Sequence, residues 1–122
     1  MSRLAQRENF LKTLRQSNEV KITVTGRKTG RKFSTPVWFV LEGEEKVILV
    51  PTKGSDNNWF KNLVKNPLIE LSVGGIAFPS RATLVRDSNR VKKVIDQLRA
   101  KYESMWSESY YTKREVYVEI PL

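Results

Sequence analysis

The stretch Val20-Lys21-Ile22-Thr23-Val24-Thr25-Gly26-Arg27-Lys28-Thr29-Gly30-Arg31-Lys32 sets the architecture of this chain. Val20, Ile22 and Val24 alternate with Lys21, Thr23 and Thr25, which reads as a strand with one buried and one wet face. Gly26 and Gly30 let the backbone turn tightly, and a second extended run begins at Phe33. Gly26 to Lys32 is therefore a strand-to-strand connection. Arg27, Lys28, Arg31 and Lys32 project from it, and no acid occurs between Val20 and Leu41. A turn that gathers positive charge beside exposed backbone N–H groups suits a phosphate. The residues alone leave a solvated hairpin tip equally open.

Upstream, residues 1–17 form an N-terminal amphipathic helix. From about Arg3 to Gln16, Leu4, Phe10, Leu11 and Leu14 share one side, and Arg3, Arg7, Lys12 and Arg15 surround it. A basic amphipathic helix can lie on a membrane surface, so weak surface association through residues 3–16 stays open. The narrow apolar stripe favours packing on the neighbouring sheet. Downstream, Phe33 to Leu41 carries apolar residues on both faces, and Pro36 marks an edge, bulge or strand break. Glu42, Glu44 and Glu45 read as a hairpin turn before a third strand, Lys46 to Val50. Pro51-Thr52-Lys53-Gly54 ends that strand, and Ser55 or Asp56 is placed to cap the next helix. Trp59, Phe60, Leu63 and Val64 form the apolar face of that helix, and Asn66-Pro67 stops it.

Strands from Leu68 to Val73 and from Ile76 to Arg86 flank Gly74-Gly75, a strong two-residue hairpin signal. Val91, Val94, Ile95, Leu98 and Tyr102 recur at helical spacing. A Ser-, Tyr- and Trp-rich stretch and a last strand around Val116, Val118 and Ile120 close the chain. The pattern predicts an α+β, mainly β fold: a six-stranded antiparallel split β-barrel with N-terminal, middle and C-terminal helices, since closure removes exposed sheet edges. At 122 residues the chain is a single domain, 1–122.

Composition excludes much chemistry. The chain has no Cys and no His. A conventional zinc site, a Ser-His-Asp triad and a Cys nucleophile are therefore ruled out, and no metal is expected. Acid–base work would fall to Asp, Glu, Lys or Tyr. The absence of cysteine is compatible with the cytoplasm, and no apolar run is long enough to span a bilayer. A net charge of +9 calls for an anionic partner or simply keeps the protein in solution. The basic turn is not a nucleotide-binding P-loop, because three residues, not four, separate Gly26 from Gly30, and no Ser or Thr follows Lys32, the lysine after the second glycine. Lys53, at the end of the third strand, is a second candidate anion contact. Trp38 and Trp59 are placed either to stack on a planar ring or to fill the core.

Thr25-Gly26-Arg27-Lys28-Thr29-Gly30 followed by Thr35-Pro36-Val37-Trp38-Phe39, then Lys53-Gly54 with Asn58-Trp59-Phe60-Lys61-Asn62-Leu63 and Asn66-Pro67, resembles the deazaflavin-dependent nitroreductase family. That family belongs to the pyridoxamine 5′-phosphate oxidase-like split β-barrels, and the resemblance spans about Glu19 to Leu122. It implies a site for coenzyme F-420, an 8-hydroxy-5-deazaflavin with a phosphorylated, polyglutamylated tail. Carried over residue by residue, Arg27, Lys28 and Thr29 would hold the phosphate or acidic tail. Ser34, Thr35, Pro36, Val37 and Trp38 would run along the chain and ring. Thr52 and Lys53 would lie near the ring and phosphate region, and Asn58, Trp59 and Asn62 would close the far side. Phe33 departs from the pattern, standing where relatives often carry a phosphate-binding Arg, with Arg31 or Lys32 as substitutes.

Tyr102 aligns with a substrate-site Tyr and is the candidate catalytic proton donor. Trp106, Tyr110 and Tyr111 are expected to line a differently shaped pocket. The implied activity is hydride transfer from reduced deazaflavin to a small-molecule electron acceptor such as a quinone, enone or nitro compound. The same barrel holding FMN is the nearest alternative. A nucleic-acid-binding barrel using Trp38, Phe39 and Trp59 as stacking platforms is a distant one. Nucleic acid is not expected, because the basic residues cluster rather than track a groove. A homodimer is expected by analogy with other split barrels.

Overall fold

The computed structural model describes residues 3–122. Residues 1 and 2 and the side chain of Arg3, which the amphipathic-helix expectation included, lie outside the described residues. In chain order the elements are α1 (Arg3–Arg15), β1 (Val20–Thr25), β2 (Lys32–Val37), β3 (Val40–Glu42), β4 (Lys46–Leu49), α2 (Asn58–Lys65), β5 (Leu68–Val73), β6 (Ile76–Arg81), β7 (Thr83–Val85), α3 (Ser88–Lys101) and β8 (Tyr117–Pro121). Short 3₁₀ turns at Gly54–Asp56 and Glu103–Met105 precede α2 and follow α3.

The strands form two antiparallel sheets of four, ordered β2-β1-β5-β6 and β3-β4-β8-β7. The split-barrel expectation holds, with eight strands among the described residues instead of six. Two runs expected as single strands each cross from one sheet to the other. The run from Phe33 to Leu41 breaks at Trp38 and Phe39, so that β2 pairs with β1 while β3 pairs with β4. The run from Ile76 to Arg86 breaks at Ala82, whose N–H donates to the Pro67 carbonyl at 2.8 Å. Periodicity reports an extended backbone and is blind to a change of sheet. Pro36 and Pro79 fall on β2 and β6, the two edges of the first sheet, where a missing N–H removes no ladder bond on the outer side.

Phe10 and Leu14 of α1, Ile22 of β1, Leu71 of β5, Phe60 and Leu63 of α2 and Val118 of β8 share one core. Val91, Ile95 and Leu98 of α3 pack with Ile48, Tyr102 and Tyr117 in a second. Phe10, Leu11 and Leu14 are buried while Leu4 is exposed, so α1 packs through the C-terminal part of its stripe. Burial of each such side chain is worth about 1.5–3 kcal/mol. The acidic turn is the β3–β4 connection and serves α1: Arg15 pairs with Glu44 at 2.6 Å, and Arg7 donates to the Glu44 carbonyl. The cap of α2 is Asn57 rather than Ser55 or Asp56, and its Oδ1 turns back to accept from the Lys53 N–H and the Thr52 hydroxyl. Asp87 caps α3, its Oδ1 accepting from the N–H groups of Asn89 and Arg90. Among the described residues no helix is long and apolar enough to cross a membrane.

Candidate active site

The β1–β2 turn is built from the inside. The Gly26 N–H donates to the Arg31 carbonyl at 2.7 Å, and the Gly30 N–H to the Gly26 carbonyl at 3.0 Å. Gly30 sits at φ +74°, a left-handed conformation that costs glycine little. A Cβ on Gly26 would lie 2.5 Å from Phe33 Cε2 and 3.2 Å from the Arg31 carbonyl oxygen, so only a glycine lets the Phe33 ring lie across the turn.

α2 fixes this turn against the sheet. Asn62 is buried, and its Oδ1 accepts from the Arg27 backbone N–H at 3.1 Å and from the Arg27 guanidinium at 2.8 Å. The same guanidinium reaches the Asn58 carbonyl at 3.4 Å and its side-chain oxygen at 3.5 Å. Lys65 donates to the Arg27 carbonyl at 2.7 Å. Arg27 is thereby committed largely to holding α2. Lys28 and Arg31 differ: their exposed cationic groups take no partner among the described residues, nor do the backbone N–H groups of Lys28 and Thr29.

Between this turn, β1, β2 and α2 lies a cleft of about 490 Å³. Its floor is Ile22 and Val24, and its walls include Gly26, Arg27, Lys28, Thr29, Phe33, Ser34, Thr35, Asn58, Trp59 and Asn62. A second cleft of about 230 Å³ adjoins it, sharing Thr35 and Trp59, and continues along Pro36, Val37, Trp38, Val50, Thr52, Asn57, Tyr110 and Tyr111. The two together gather most of the residues singled out in the sequence, but not Arg31, Lys32, Phe39, Lys53, Tyr102 or Trp106. Tyr102 is buried, its hydroxyl accepts from the Phe39 N–H at 3.1 Å, and the carbonyls of Asn18 and Phe39 lie 2.9 and 3.0 Å away as acceptors. Burial raises the Tyr102 pKa, the neighbouring Glu19 adds to the rise, and the Phe39 backbone bond opposes it.

Residues the sequence did not mark also take part. Ile22 and Val24 read as ordinary core positions, and alternation cannot reveal that they line a cleft. Asn57 carried no signal, the cap having been expected at Ser55 or Asp56, and Val50 none beyond a strand end. In the second cleft Trp38 stacks on Tyr102, with ring centroids 4.3 Å apart and planes inclined by 4°, while Tyr110 covers its other face at 4.7 Å and 21°. Lys101 donates to the Phe39 carbonyl at 2.8 Å, and burial brings its pKa down to about 8.

The wall from Trp106 to Thr112 is fastened by Glu108. Its carboxylate accepts from Arg99 at 2.7 and 3.1 Å, from the Trp106 indole at 2.9 Å and from Arg114 at 3.1 Å. These donors, Arg99 foremost, bring its pKa down to about 2. At the far end the Thr112 N–H donates to the Thr52 carbonyl at 2.8 Å. This arrangement offers free cationic and N–H donors at one end, a largely apolar slot along β2, and an aromatic wall at the other end. It suits an elongated, planar, anion-tailed molecule.

A family model described as F-420H(2)-dependent quinone reductase matches residues 3–121. Solved structures share the fold. A protein described as an F-420H(2)-dependent reductase is 23% identical, with a TM-score of 0.61 over 84% of this chain and 93% of that one. A putative pyridoxamine 5′-phosphate oxidase from Listeria innocua is 13% identical, with a TM-score of 0.68 over 94% and 92%. A protein described as a domain-swapped dimer is 25% identical, with a TM-score of 0.61 over 95% and 96%. Taken with a split barrel whose cleft is lined by the free Lys28 ammonium, these matches mean that the chain belongs to the F-420H(2)-dependent quinone reductase family and is an oxidoreductase.

Proposed function

We propose that this protein binds coenzyme F-420 along the first cleft and reduces a small electrophilic acceptor, a quinone, enone or nitro compound, that enters the adjoining second cleft. The carrying observation is that Lys28 and Thr29, with an unpartnered ammonium and two unpartnered N–H groups, line the largely apolar slot, with the free Arg31 guanidinium on the same turn. These donors match a phosphate and an acidic tail in charge and in hydrogen-bonding capacity. When bound, the reduced deazaflavin supplies the hydride.

The chain supplies the rest. Lys28 and Arg31 hold the anionic end. Arg27, through Asn62 and Asn58, keeps the turn and α2 at a fixed spacing. Ser34 to Trp38 form the long wall, and Trp59, shared by both clefts, closes it and excludes water. Solvent at the mouth of the second cleft delivers the proton that completes acceptor reduction. Tyr102, whose hydroxyl is spent on the backbone, serves as a positioning residue behind Trp38. A homodimer belongs to the same proposal, supported by the similar protein that forms a domain-swapped dimer.

Titration with oxidised coenzyme F-420 and with FMN, followed by absorbance and calorimetry, tests the assignment. Lys28→Ala should weaken F-420 binding about tenfold or more, the scale of a lost charge-assisted contact. Lys53→Ala should change it less than about twofold. Tighter binding of FMN than of F-420, or a Lys28 variant that titrates like the wild type, would overturn the reading.

A further inference from the structure

We infer that Tyr110 is a displaceable cover over a seat for a planar conjugated ring on the outer face of Trp38. Both faces of the Trp38 indole are occupied, but by partners of very different standing. Tyr102, on the inner face, is 1% exposed and pinned through its hydroxyl to the backbone of Phe39 and Asn18. Tyr110, on the outer face, is 46% exposed, and its hydroxyl takes no partner among the described residues. Besides Trp38, the one aromatic ring it meets among the described residues is Tyr111, edge-on at 5.1 Å.

Tyr110 also lines the second cleft with Trp38, so it occupies the position at which a ligand ring would stack. The main chain on either side is fastened, at the Glu108 carbonyl by Arg114 at 2.8 Å and at the Thr112 N–H by the Thr52 carbonyl. Rotation about the Tyr110 side-chain bonds therefore uncovers Trp38 without moving the backbone, and exposed side chains make such turns in picoseconds to nanoseconds. A cleft of about 230 Å³ takes a ring system of one or two fused rings. The incoming ring completes a three-ring stack on a base that is already rigid, so little ordering is needed beyond displacing Tyr110. Binding must break one Tyr–Trp stack to form another, which makes Tyr110 a determinant of acceptor affinity.

This inference rests on the second cleft being the acceptor side. The test uses the naphthoquinone menadione as the planar probe, with protein saturated with oxidised coenzyme F-420 and without it. Calorimetry should show tighter menadione binding by Tyr110→Ala than by the wild type, by roughly two- to tenfold, the value of one aromatic pair. Trp38→Leu in the same background should abolish that gain. Near-ultraviolet circular dichroism gives a second readout, independent of how well the Trp38 variant folds: menadione added to the wild type should shift the aromatic signal toward that of Tyr110→Ala. Unchanged or weaker binding by Tyr110→Ala, no menadione binding by either protein, or an aromatic signal that ignores menadione would each overturn the inference. Failure of the cofactor assignment would show separately, as F-420 binding indifferent to Lys28.

Discussion

Replacing Tyr102 by Phe separates two roles that a buried tyrosine near a redox site can play. The substitution keeps the ring that backs Trp38 at 4.3 Å and removes only the hydroxyl. That hydroxyl is the acceptor for the Phe39 N–H at 3.1 Å, in a position 1% exposed, so its loss leaves a buried donor without a partner. An orphaned buried donor costs about 1–3 kcal/mol. For a domain of this size the unfolding entropy is about 0.26 kcal/mol/K, so the melting temperature should fall by roughly 4–12 °C. Turnover at a temperature where the variant is folded should fall less than about tenfold, because the ring and the cleft persist. A donated proton, in contrast, is worth about 10²- to 10⁴-fold in rate. Differential scanning calorimetry and steady-state kinetics with reduced coenzyme F-420 read the two quantities on one sample. A melting temperature that stays put while turnover falls a hundredfold would refute the positioning argument and restore Tyr102 as proton donor.

Two further substitutions probe the walls of the clefts. Gly26→Ala puts a methyl 2.5 Å from the Phe33 ring, so the ring should swing outward and F-420 affinity should fall several-fold; Phe33→Ala in the same chain should recover much of the loss, measured by the same absorbance titration. Glu108 is an acid whose pKa in the fold, about 2, lies below its ordinary value of 4.5, so the stability it contributes is complete above pH 4.5 and is lost as the pH falls toward 2. An acid titration of the near-ultraviolet signal should show this step, and Glu108→Gln should remove it; an identical step in the variant would assign the transition to another carboxylate.

Much of this molecule follows from residue order alone. The alternation of Val20, Ile22 and Val24, the Gly74-Gly75 hairpin and the spacing of Val91, Ile95 and Leu98 each report a local period, and local periods survive without knowledge of the partner element. The charge on the turn from Gly26 to Lys32 is equally local, since its cations are adjacent in the chain. What the tertiary structure decided is of another kind. Trp38-Phe39 and Ala82 are where strands pass between sheets, and the cause lies in partners that change across each break, Val37 pairing with Val20 but Val40 with Ile48, and Arg81 with Leu68 but Thr83 with Glu119.

Arg27 and Lys28 look interchangeable in sequence, but packing gives one a buried Asn62 to hold and leaves the other facing the cleft. Lys53 and Tyr102 are separated from the clefts by the same global geometry, the first by the way Asn57 folds back the β4–α2 loop, the second by the Phe39 backbone that claims its hydroxyl. Charge and period are properties of neighbouring residues along the chain, and so were legible. Which donor is left unpartnered depends on contacts between distant segments, and only the fold can assign those.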